Sequence, residues 1–419
     1  MAKISGVIEL PGDKSISHRA ALFSALIDEP SRFSNFNYNR DCRATLHCLQ
    51  KLGIEWQVMT GELQIRGRPL KQWQEPDTAL NAENSGTTTR LISALLSHLP
   101  FKTQLVGDAS LSGRPMKRII DPLSQMGARI KAKQNNYLPL NFHPVSEMNG
   151  MHYTLPIASA QVKSAILLAG LFARGKTFVI ENTPSRDHTE RLLQLPAELQ
   201  NDGSKTIVSS VDRAIPNFSM RIPGDFSSAA FFIAAALLLP RSELRIDNVS
   251  LNPTRTGLLF VLQRMGVQFD IEPIRNEPEP AGRLIVRSSA LQNVAIEPSM
   301  VPNIIDEIPI MCIIASQSEG SFVLHGAEEL RFKESDRIKA MADNLRAVGI
   351  EVEEYEDGLA INGPQTLTGG KINTYGDHRI AMAFAVADLL ATDKIVLDDP
   401  DCVDVSFPDF WSILKQIVV

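Results

Sequence analysis

The sequence repeats one six-residue pattern, which first reads Leu49-Gln50-Lys51-Leu52-Gly53-Ile54. A helical apolar run is closed by a large aliphatic residue, followed by glycine and then by a strand-like alternation. Three further copies carry their glycines at positions 127, 266 and 349. Glycine in this place adopts the left-handed conformation that ends a helix and turns the chain into a strand. Four copies at comparable spacing indicate an internal repeat of helix–turn–strand units.

The spacing of the glycines predicts a fifth copy. The gap between Gly127 and Gly266 is about twice the gap between Gly53 and Gly127. The segment Leu192-Leu193-Gln194-Leu195-Pro196 lies near its middle, and we expect it to be a degenerate copy in which Pro196 replaces the glycine. A sixth helix is predicted from Phe410 to Ile417, so the chain contains six repeats.

A second, more apolar set of helices alternates with the first. Six predicted starts open this set: Asp13-Lys14-Ser15, Asn84-Ser85-Gly86-Thr87, Ser159-Ala160-Gln161, Asp225-Phe226-Ser227, Asp306-Glu307 and Asp377-His378-Arg379. Ser, Asn and Asp are the favoured N-cap residues, and the residues that follow are apolar on nearly every face. Such helices belong between other elements, which predicts an α+β fold in two bodies of three repeats each. The Pro-rich segment Glu272–Gly282 is expected to be an irregular surface excursion.

Length and composition exclude several classes of protein. A chain of 419 residues is long enough for two or more domains. With 42 Lys and Arg against 48 Asp and Glu, a broad basic face for nucleic acid is not expected. The apolar run Ala229–Leu239 is too short to cross a bilayer, and the first residues lack the apolar core of a signal peptide. Four cysteines are too few for a disulfide scaffold. We expect a cytoplasmic protein with no nucleic-acid or membrane partner.

Cations are concentrated at predicted helix starts. Five residues share this placement: Lys14, Arg114, Lys333, Arg337 and Arg379. The positive end of a helix disfavours a cation by about a few tenths of a kcal/mol, so something negative is expected to compensate. A single Ser or Asp in such a place is more often a cap than a ligand, but five cations point to an anionic ligand. The pattern therefore predicts more than one phosphate or carboxylate, bound in a cleft between the two bodies.

The acid–base candidates are few. Asp306 and Glu334 lie beside the cations, and His378 is a third candidate. Carboxylates are electrostatically comfortable at helix N-termini without any catalytic role, yet next to cations they can also carry protons. The other histidines form no HxxxH or HExxH pattern, and no glycine-rich phosphate-binding fingerprint is present. The sequence therefore predicts neither a metal site nor a nucleotide cofactor.

The motifs resemble those of the 5-enolpyruvylshikimate-3-phosphate synthase family, part of the enolpyruvyl transferases. The shared segments run in the family's order: Pro11–Arg19, Asn84–Thr87 with Arg90, Gly113–Met116, Ser159–Ser164, Ser185–Glu190, Asp306–Pro309, Lys333–Arg337 and Gly376–Arg379. The resemblance implies a two-domain fold of six βαβαββ repeats, three per domain, in inside-out α/β barrel-like bodies. Domain I would comprise residues 1–13 and 224–419, domain II residues 14–223, and the active site would lie in the interdomain cleft.

The resemblance also implies the reaction. Family members transfer the enolpyruvyl group of phosphoenolpyruvate to the 5-hydroxyl of shikimate 3-phosphate and release phosphate, in aromatic amino-acid biosynthesis. The hydroxyl adds to the enol carbon to form a tetrahedral intermediate, and phosphate then leaves. This implies that the two substrates are the only small-molecule partners, that no cofactor or metal is needed, and that the protein is a monomer whose domains close on the substrates.

The family's site residues map onto this sequence by motif. Contacts to shikimate 3-phosphate are implied for Lys14, Ser15, Arg19, Ser159, Gln161, Ser185, Asp306 and Lys333. Contacts to phosphoenolpyruvate are implied for Lys14, Gly86, Arg114, Gln161, Arg337 and Arg379. Asp306 would be the base for the 5-hydroxyl, and Glu334 with Lys14 would manage protons at the enol carbon. His378 completes the catalytic candidates.

Two alternatives remain beside this assignment. UDP-N-acetylglucosamine enolpyruvyl transferase shares the fold and the donor, but its family has Lys-Asn at the first motif and a Cys in the loop before its Arg-Pro. This chain has Lys14-Ser15, and no Cys lies between Gly107 and Gly113. A non-catalytic anion-binding protein on the same scaffold is the other alternative. One departure from the synthase pattern is Val405, which stands where many members have Lys.

Overall fold

The computed structural model describes residues 2–419, which separate into two compact units. One unit is Gly12–Ile222. The other consists of Pro223–Val419 together with the described residues up to Pro11.

Twenty-two strands follow one another along the described chain. They are β1 (Ser5–Glu9), β2 (Ser31–Ser34), β3 (Glu55–Met59), β4 (Glu62–Arg66), β5 (Leu80–Asn81), β6 (Thr103–Val106), β7 (Arg129–Lys133), β8 (Tyr137–His143), β9 (His152–Thr154), β10 (Lys176–Glu181), β11 (Ala197–Leu199), β12 (Lys205–Ser210), β13 (Met220–Arg221), β14 (Glu243–Ser250), β15 (Asp270–Arg275), β16 (Ala281–Arg287), β17 (Ala295–Ile296), β18 (Gly320–Leu324), β19 (Val352–Tyr355), β20 (Gly358–Gly363), β21 (Gly370–Ile372) and β22 (Ile395–Leu397).

Fourteen α-helices lie between them in residues 2–419. They are α1 (Lys14–Ser24), α2 (Arg40–Lys51), α3 (Gly86–Leu96), α4 (Ala109–Ser112), α5 (Lys117–Gln125), α6 (Ala160–Gly170), α7 (His188–Leu192), α8 (Phe226–Leu238), α9 (Gly257–Arg264), α10 (Val301–Ile304), α11 (Ile308–Gln317), α12 (Arg337–Ala347), α13 (His378–Asp388) and α14 (Phe410–Ile417). Short 3₁₀ helices cover Leu70–Gln72, Pro298–Met300, Glu328–Phe332 and Pro400–Val405.

The sheets repeat one topology. In the sheet β5-β6-β8-β7 the first pair of strands is parallel and the other two pairs are antiparallel. Four further sheets have the same pattern: β13-β2-β4-β3, β9-β10-β12-β11, β1-β14-β16-β15 and β17-β18-β20-β19. A sixth sheet consists of the parallel pair β21-β22. The α+β architecture of repeated units expected from the sequence is confirmed.

The first sheet of each unit takes its parallel strand from a distant part of the chain. Strand β1 pairs with β14, with Ser5 opposite Glu243. Strand β13 pairs with β2, with Met220 opposite Phe33. The N-terminal strand therefore belongs to the unit that contains the C-terminus.

Three buried helices lie in the interior of each unit. Helix α3 contacts α1 and α6 in one unit, and α8, α11 and α13 contact one another in the other. Nearly all of their residues are buried, as expected for helices that are apolar all round. The sheets and the more amphipathic helices surround them, which places the apolar helices inside and the strands outside.

The repeated helix ends have one geometry. Helices α2, α5, α9 and α12 are followed by Gly53, Gly127, Gly266 and Gly349, each with positive φ. In each case the residue after the glycine donates its N–H to the carbonyl five residues earlier, as in a Schellman motif. Helix α7 ends in the same way, but its left-handed residue is Gln194, with φ 51°, and Leu195 donates to Glu190 at 2.8 Å. The fifth copy exists, but the prediction that Pro196 takes the place of the glycine was wrong.

The Pro-rich segment Glu272–Gly282 is also more regular than predicted. Most of it belongs to the antiparallel strands β15 and β16. Strand β15 lies at the edge of its sheet and carries Pro273. Proline has no N–H to donate, so an edge strand is where a sheet accommodates it.

Residues 2–419 contain neither a cluster of potential metal ligands nor a single helix able to cross a membrane. No group of three or more His, Cys, Asp or Glu side chains is arranged to hold a metal ion. No single helix in these residues combines the length and apolarity needed to cross a membrane. Segments Pro298–Ile304 and Ile308–Gln317 are long and apolar enough only when taken together, and the chain bends by 113° between them.

Candidate active site

Five helices begin beside the candidate residues, and each start is capped. The caps are Asp13 for α1, Ser85 for α3, Ser159 for α6, Asp336 for α12 and Asp377 for α13, and each side chain accepts a backbone N–H of the first turn. Capping satisfies N–H groups that have no partner within the helix. The sequence therefore fixes where these first turns begin, and with them the positions of the neighbouring charged side chains.

Two of the five cations assigned to first turns lie elsewhere. Arg114 precedes the first residue of α5, Lys117, by three positions. Lys333 follows the 3₁₀ helix Glu328–Phe332 and lies before the N-cap of α12. Their placement in helical first turns was therefore wrong, because each helix begins later than the motif suggested.

The other three cations are balanced by acids of the protein itself. The pairs are Lys14 Nζ–Asp41 Oδ2 at 3.1 Å, Arg337 Nε–Asp377 Oδ2 at 2.8 Å and Arg379 Nε–Asp306 Oδ1 at 3.8 Å. Their position at helix starts therefore does not by itself require a bound anion, and their contact with an anionic ligand stays a prediction. Long-range carboxylate partners, which the local pattern does not reveal, supply the compensation.

Arg19 is held by three oxygen atoms. It is 2% exposed, and its Nε donates to Thr189 Oγ1 at 2.8 Å while Nη2 donates to Ser164 Oγ at 2.8 Å. Nη1 donates to the carbonyl of Ser15 at 3.0 Å. Arg19 and Ser15, both expected to contact the phosphorylated substrate, are therefore joined directly on α1.

Gln161 links the starts of α3 and α6. Its Oε1 accepts a hydrogen bond from Arg90 Nη1, and its Nε2 donates to Thr87 Oγ1 at 2.9 Å. A Cβ on Gly86 would lie 2.8 Å from Arg90 Nη1 and 3.7 Å from Arg114 Nη1. Glycine at position 86 therefore leaves room beside two guanidinium groups, which suits the approach of an anion.

Arg114 is anchored by the loop before α3. Its Nη2 donates to Asn84 Oδ1 at 2.6 Å and to Ser110 Oγ at 3.3 Å. Asn84 in turn donates to Asp108 Oδ2 at 2.7 Å. Asn84 and Ser110 thus orient the guanidinium, and Asp108 in turn holds Asn84.

Ser185 lies on a buried ion-pair network. Its hydroxyl donates a short hydrogen bond to Glu181, and Glu181 also pairs with Lys163 at 2.8 Å. Lys163 bonds Glu190 Oε1 at 2.8 Å as well. Burial disfavours the ammonium, but the carboxylates of Glu190 and Glu181 outweigh burial and raise the pKa of Lys163.

In the other unit, one guanidinium gathers three carboxylates. Arg337 Nη2 donates to Glu334 Oε2 at 2.6 Å, and Nη1 donates to Asp306 Oδ1 at 3.4 Å. Arg337 also makes two bonds to Asp377, at 2.8 and 3.3 Å. The two carboxylates expected to handle protons, Asp306 and Glu334, therefore meet on one arginine.

The charges of this cluster reinforce one another. Burial alone would lower the pKa of Arg337, but Asp377, Glu334 and Asp306 raise it above its ordinary value. Burial alone would raise the pKa of Asp377, but Arg337 brings it below its ordinary value. Both residues therefore remain charged while buried, as paired charges do.

Two further arginines face Asp306. Arg379 Nη1 donates to the backbone carbonyl of Asp306 at 2.9 Å. Arg255 Nη1 lies 3.9 Å from Asp306 Oδ2, and Nη2 donates to Ser227 Oγ at 2.8 Å and to Asp225 Oδ1 at 3.2 Å. With Arg337, three guanidinium groups surround one carboxylate and stabilise its negative charge.

The remaining candidates take these places. Ser159 caps α6, and its hydroxyl accepts from Val162 N at 3.5 Å. Lys333 Nζ lies 3.4 Å from Glu329 Oε1. His378 is the first residue of α13, is 4% exposed, and its Nδ1 lies 4.0 Å from Asp377 Oδ1.

The candidates form two residue groups, one in each unit. The first group is Lys14, Ser15, Arg19, Gly86, Arg114, Ser159, Gln161 and Ser185. The second group is Asp306, Lys333, Glu334, Arg337, His378 and Arg379. Hydrogen bonds or ion pairs join Asp306, Glu334, Arg337 and Arg379 directly, whereas Lys333 pairs with Glu329.

Sequence reasoning missed several contributors. Arg90 stands in a quoted motif, and its position one turn after Gly86 was a usable signal. Lys163, the only cation among the apolar residues of α6, signalled a buried pair. Arg255 and Asp41 gave no local signal, because their partners are distant in sequence.

Comparisons with known proteins agree on one family. The family described as EPSP synthase (3-phosphoshikimate 1-carboxyvinyltransferase) matches residues 1–414. A relative from Salinibacter ruber named 3-phosphoshikimate 1-carboxyvinyltransferase is 47% identical over 424 residues, covering 100% of this chain and 98% of the relative. One of the same name from Desulfitobacterium hafniense is 45% identical over 420 residues, covering 100% of this chain and 96% of the relative.

Solved structures give the same result. EPSP synthase from Acinetobacter baumannii superposes with a TM-score of 0.87 at 37% identity, covering 99% of this chain and 96% of that one. The enolpyruvyl transferase NikO from Streptomyces tendae has a TM-score of 0.71 at 16% identity, covering 99% and 95%, and shares the fold.

Proposed function

Because this chain belongs to the EPSP synthase family, we propose that it transfers the enolpyruvyl group of phosphoenolpyruvate to the 5-hydroxyl of shikimate 3-phosphate and releases phosphate. Family membership makes it a transferase of the shikimate pathway. The observation that carries the proposal is the match over residues 1–414, within which every candidate catalytic residue lies. A cytoplasmic location and a monomeric state stay predictions.

The first residue group supplies the binding charges. Arg19 and Lys14 are the cations for shikimate 3-phosphate, with Ser15, Ser159 and Ser185 as hydroxyl partners. Charge-assisted hydrogen bonds to phosphate are the strong class, and guanidinium groups bind such anions in a fork. Gly86, Arg114 and Gln161 serve phosphoenolpyruvate beside Lys14. Arg114 suits this role because its guanidinium is oriented by Asn84 and Ser110 and lies 3.7 Å from the position that a Cβ on Gly86 would take.

The second residue group supplies the proton carriers. Asp306 takes the proton of the 5-hydroxyl as the hydroxyl oxygen bonds to the enol carbon, while the Lys14 ammonium with Glu334 delivers a proton to the methylene carbon. The C–O bond to phosphate then breaks, with the proton on Asp306 passing to the leaving phosphate, and the new methyl group returns one proton to Lys14 and Glu334 as the double bond is restored. Lys14 and His378 assist these transfers, and Lys333 contacts the ring hydroxyls.

Arginine pairing gives this proposal a specific consequence. Arg337 makes four hydrogen bonds to three carboxylates, which leaves one of its five N–H groups, so a two-bond contact with phosphoenolpyruvate requires it to give up one of the present bonds. Arg337 approaches Glu334 and Asp377 to 2.6 and 2.8 Å but Asp306 only to 3.4 Å. The bond to Asp306 is therefore the weakest of the three and the easiest to break. The exchange would free Asp306 to accept the hydroxyl proton at the moment the donor substrate arrives.

A test with two acceptors separates the alternatives. Phosphate release from phosphoenolpyruvate is measured with purified protein and either shikimate 3-phosphate or UDP-N-acetylglucosamine. We expect release with shikimate 3-phosphate alone. Release only with the nucleotide sugar would indicate the sister transferase, which the family match does not favour. Tight binding of shikimate 3-phosphate without release would leave a binding protein on this scaffold.

A further inference from the structure

A fully buried lysine on α6 makes three polar contacts. Lys163 is 0% exposed, and its Nζ bonds Glu181 Oε2 at 2.8 Å, Glu190 Oε1 at 2.8 Å and the carbonyl of Ser185 at 3.3 Å. Three acceptors match the three donors of an ammonium. Replacing a buried ion pair by apolar side chains of similar size is often neutral or stabilising. Stability alone therefore gives no reason for this cluster.

The cluster takes up every polar group of Ser185. Glu181 Oε1 accepts the backbone N–H of Ser185 at 3.2 Å and also its hydroxyl. Lys163 holds the carbonyl of the same residue. Ser185 lies in the irregular segment between β10, which ends with Glu181, and α7. These bonds order the segment in advance. Without them, ordering the segment would cost conformational entropy each time a ligand binds, and binding would be weaker.

The same two helices hold Arg19. Ser164, next to Lys163 on α6, and Thr189, next to Glu190 on α7, both accept hydrogen bonds from Arg19 at 2.8 Å. Their hydroxyls also bond each other at 2.6 Å. Ser164 and Thr189 thus fix Arg19, and their chain neighbours Lys163 and Glu190 belong to the cluster that fixes Ser185.

We infer that Lys163 and Glu181 are positioning residues for shikimate 3-phosphate, acting through Ser185. The inference rests on the proposed function, in which Ser185 contacts that substrate. The Ser185 hydroxyl points its proton at Glu181. An anionic ligand draws that proton toward itself, while the backbone bonds to Glu181 and Lys163 keep Ser185 in place as its hydroxyl turns. Phosphoenolpyruvate binding does not depend on these contacts.

A matched pair of double variants isolates the hold on Ser185. Lys163→Met with Glu181→Gln removes both buried charges but leaves an amide oxygen for the Ser185 N–H and hydroxyl. Lys163→Met with Glu181→Leu removes the same charges and the acceptor. Removing both charges together avoids an uncompensated buried ion, and Glu190 retains Lys205 at 3.4 Å. The two variants therefore differ only in the acceptor that Ser185 needs.

The expected readout is a split between the two substrates. The KM for shikimate 3-phosphate should be about fivefold to tenfold higher in the Leu variant than in the Gln variant, as for a lost hydrogen bond, with the KM for phosphoenolpyruvate unchanged. Adding Ser185→Ala to both variants should abolish the difference. Ser209→Ala, which removes a buried hydrogen bond to the α6 backbone at 2.7 Å, controls for simple destabilisation and should lower Tm without the split.

Three results would overturn the inference. They are equal KM values for shikimate 3-phosphate in the Gln and Leu variants, equal increases for both substrates, or a difference that persists with Ser185→Ala. Wild-type protein without turnover would instead overturn the proposed function, so the two failures are distinguishable. If the Leu variant does not fold, the Gln variant is compared with wild type. That variant lacks the Lys163 bond to the Ser185 carbonyl, so its KM for shikimate 3-phosphate should lie above the wild-type value while the KM for phosphoenolpyruvate stays unchanged. An unchanged KM for shikimate 3-phosphate, or equal increases for both substrates, would then contradict the role of Lys163.

Discussion

Asp306 has the most unusual surroundings of the candidate residues. Arg337, Arg379 and Arg255 all lie within 4 Å of its carboxylate, with Nη1, Nε and Nη1 at 3.4, 3.8 and 3.9 Å. Three guanidinium groups at these distances favour the charged form of the carboxylate. A base needs this state before the reaction, so the surroundings fit the role proposed for Asp306.

Replacing Asp306 by Asn tests that role. The amide is of similar size but cannot accept the hydroxyl proton, so kcat should fall by about 10²- to 10⁴-fold. The Kd of shikimate 3-phosphate, measured by calorimetry without the donor, should stay within a few-fold of wild type. A kcat close to the wild-type value would remove Asp306 from the mechanism.

Arg114 makes a prediction about one substrate only. Its guanidinium is held by Asn84 and Ser110, and Arg114→Ala removes a charged hydrogen-bond donor. The KM for phosphoenolpyruvate should rise about 10- to 100-fold, while that for shikimate 3-phosphate changes much less. Arg118→Ala, an exposed residue on α5, is the matched control and should change neither. Equal effects of Arg114→Ala on both KM values would contradict the assignment.

At the scale of elements, the helix ends are the most informative. Five helices close with one Schellman geometry, four on glycine and one on Gln194. A non-glycine residue with left-handed backbone is strained by roughly 1–2 kcal/mol. The same helix end therefore occurs in this chain both with glycine and without it, so the effect of glycine on stability can be compared within one protein.

Opposite substitutions at two helix ends should have opposite effects. Gln194→Gly should raise the free energy of unfolding by up to about 1 kcal/mol, because glycine relieves the strain at φ 51°. Gly266→Ala should lower it by about 1 kcal/mol or more, since φ is 101° while the nearest atom to the new Cβ lies 3.8 Å away. Urea unfolding of both variants beside wild type measures the two changes. The same sign for both would refute the shared geometry.

Helices α3 and α6 are joined by a histidine that titrates abnormally. His98 follows α3, and its Nε2 lies 3.0 Å from the carbonyl of Ala169 on α6. Burial lowers the pKa of His98 to about 4, although the bond to Ala169 opposes the shift. Between pH 6.5 and 4 the unfolded chain therefore binds a proton that the folded protein does not.

This difference makes stability fall with decreasing pH. The His98 contribution is constant above pH 6.5 and should cost about 3 kcal/mol by pH 4. His98→Gln keeps an N–H for Ala169 but does not titrate, so its unfolding free energy should fall less over the same range. Urea unfolding of both proteins at pH 7 and 4.5 measures the difference, because the other acids titrate equally in both. Parallel pH profiles would show that His98 is not the cause.

At the scale of the whole molecule, sequence reasoning succeeded where information is local. Capped helix starts such as Ser85 and Ser159, and the left-handed glycines, are encoded within a few residues. Because these signals recur along the chain, they define the α+β architecture. The turn at Gln194 was misread because a non-glycine residue can adopt the same backbone when the surrounding helix and strand are otherwise intact.

Pairings across the chain were beyond that reasoning. Lys14 finds Asp41 on the next helix, and Asp306 meets Arg337 and Arg255 from separate elements. Nothing near these residues in sequence identifies the partner, because contact is created only when the repeats pack. The cations were recognised correctly as a concentration of charge, but their compensation by the protein's own acids requires the folded structure.

The reaction product in D₂O tests the proposed transfer most directly. The protein is incubated with phosphoenolpyruvate and shikimate 3-phosphate in D₂O, and the products are examined by NMR. We expect the enolpyruvyl ether at the 5-oxygen, with deuterium in its methylene group. Deuterium enters because addition converts the methylene to a methyl group, and elimination removes a proton from that group. Formation of pyruvate and phosphate without the ether, or an ether free of deuterium, would contradict transfer by addition and elimination.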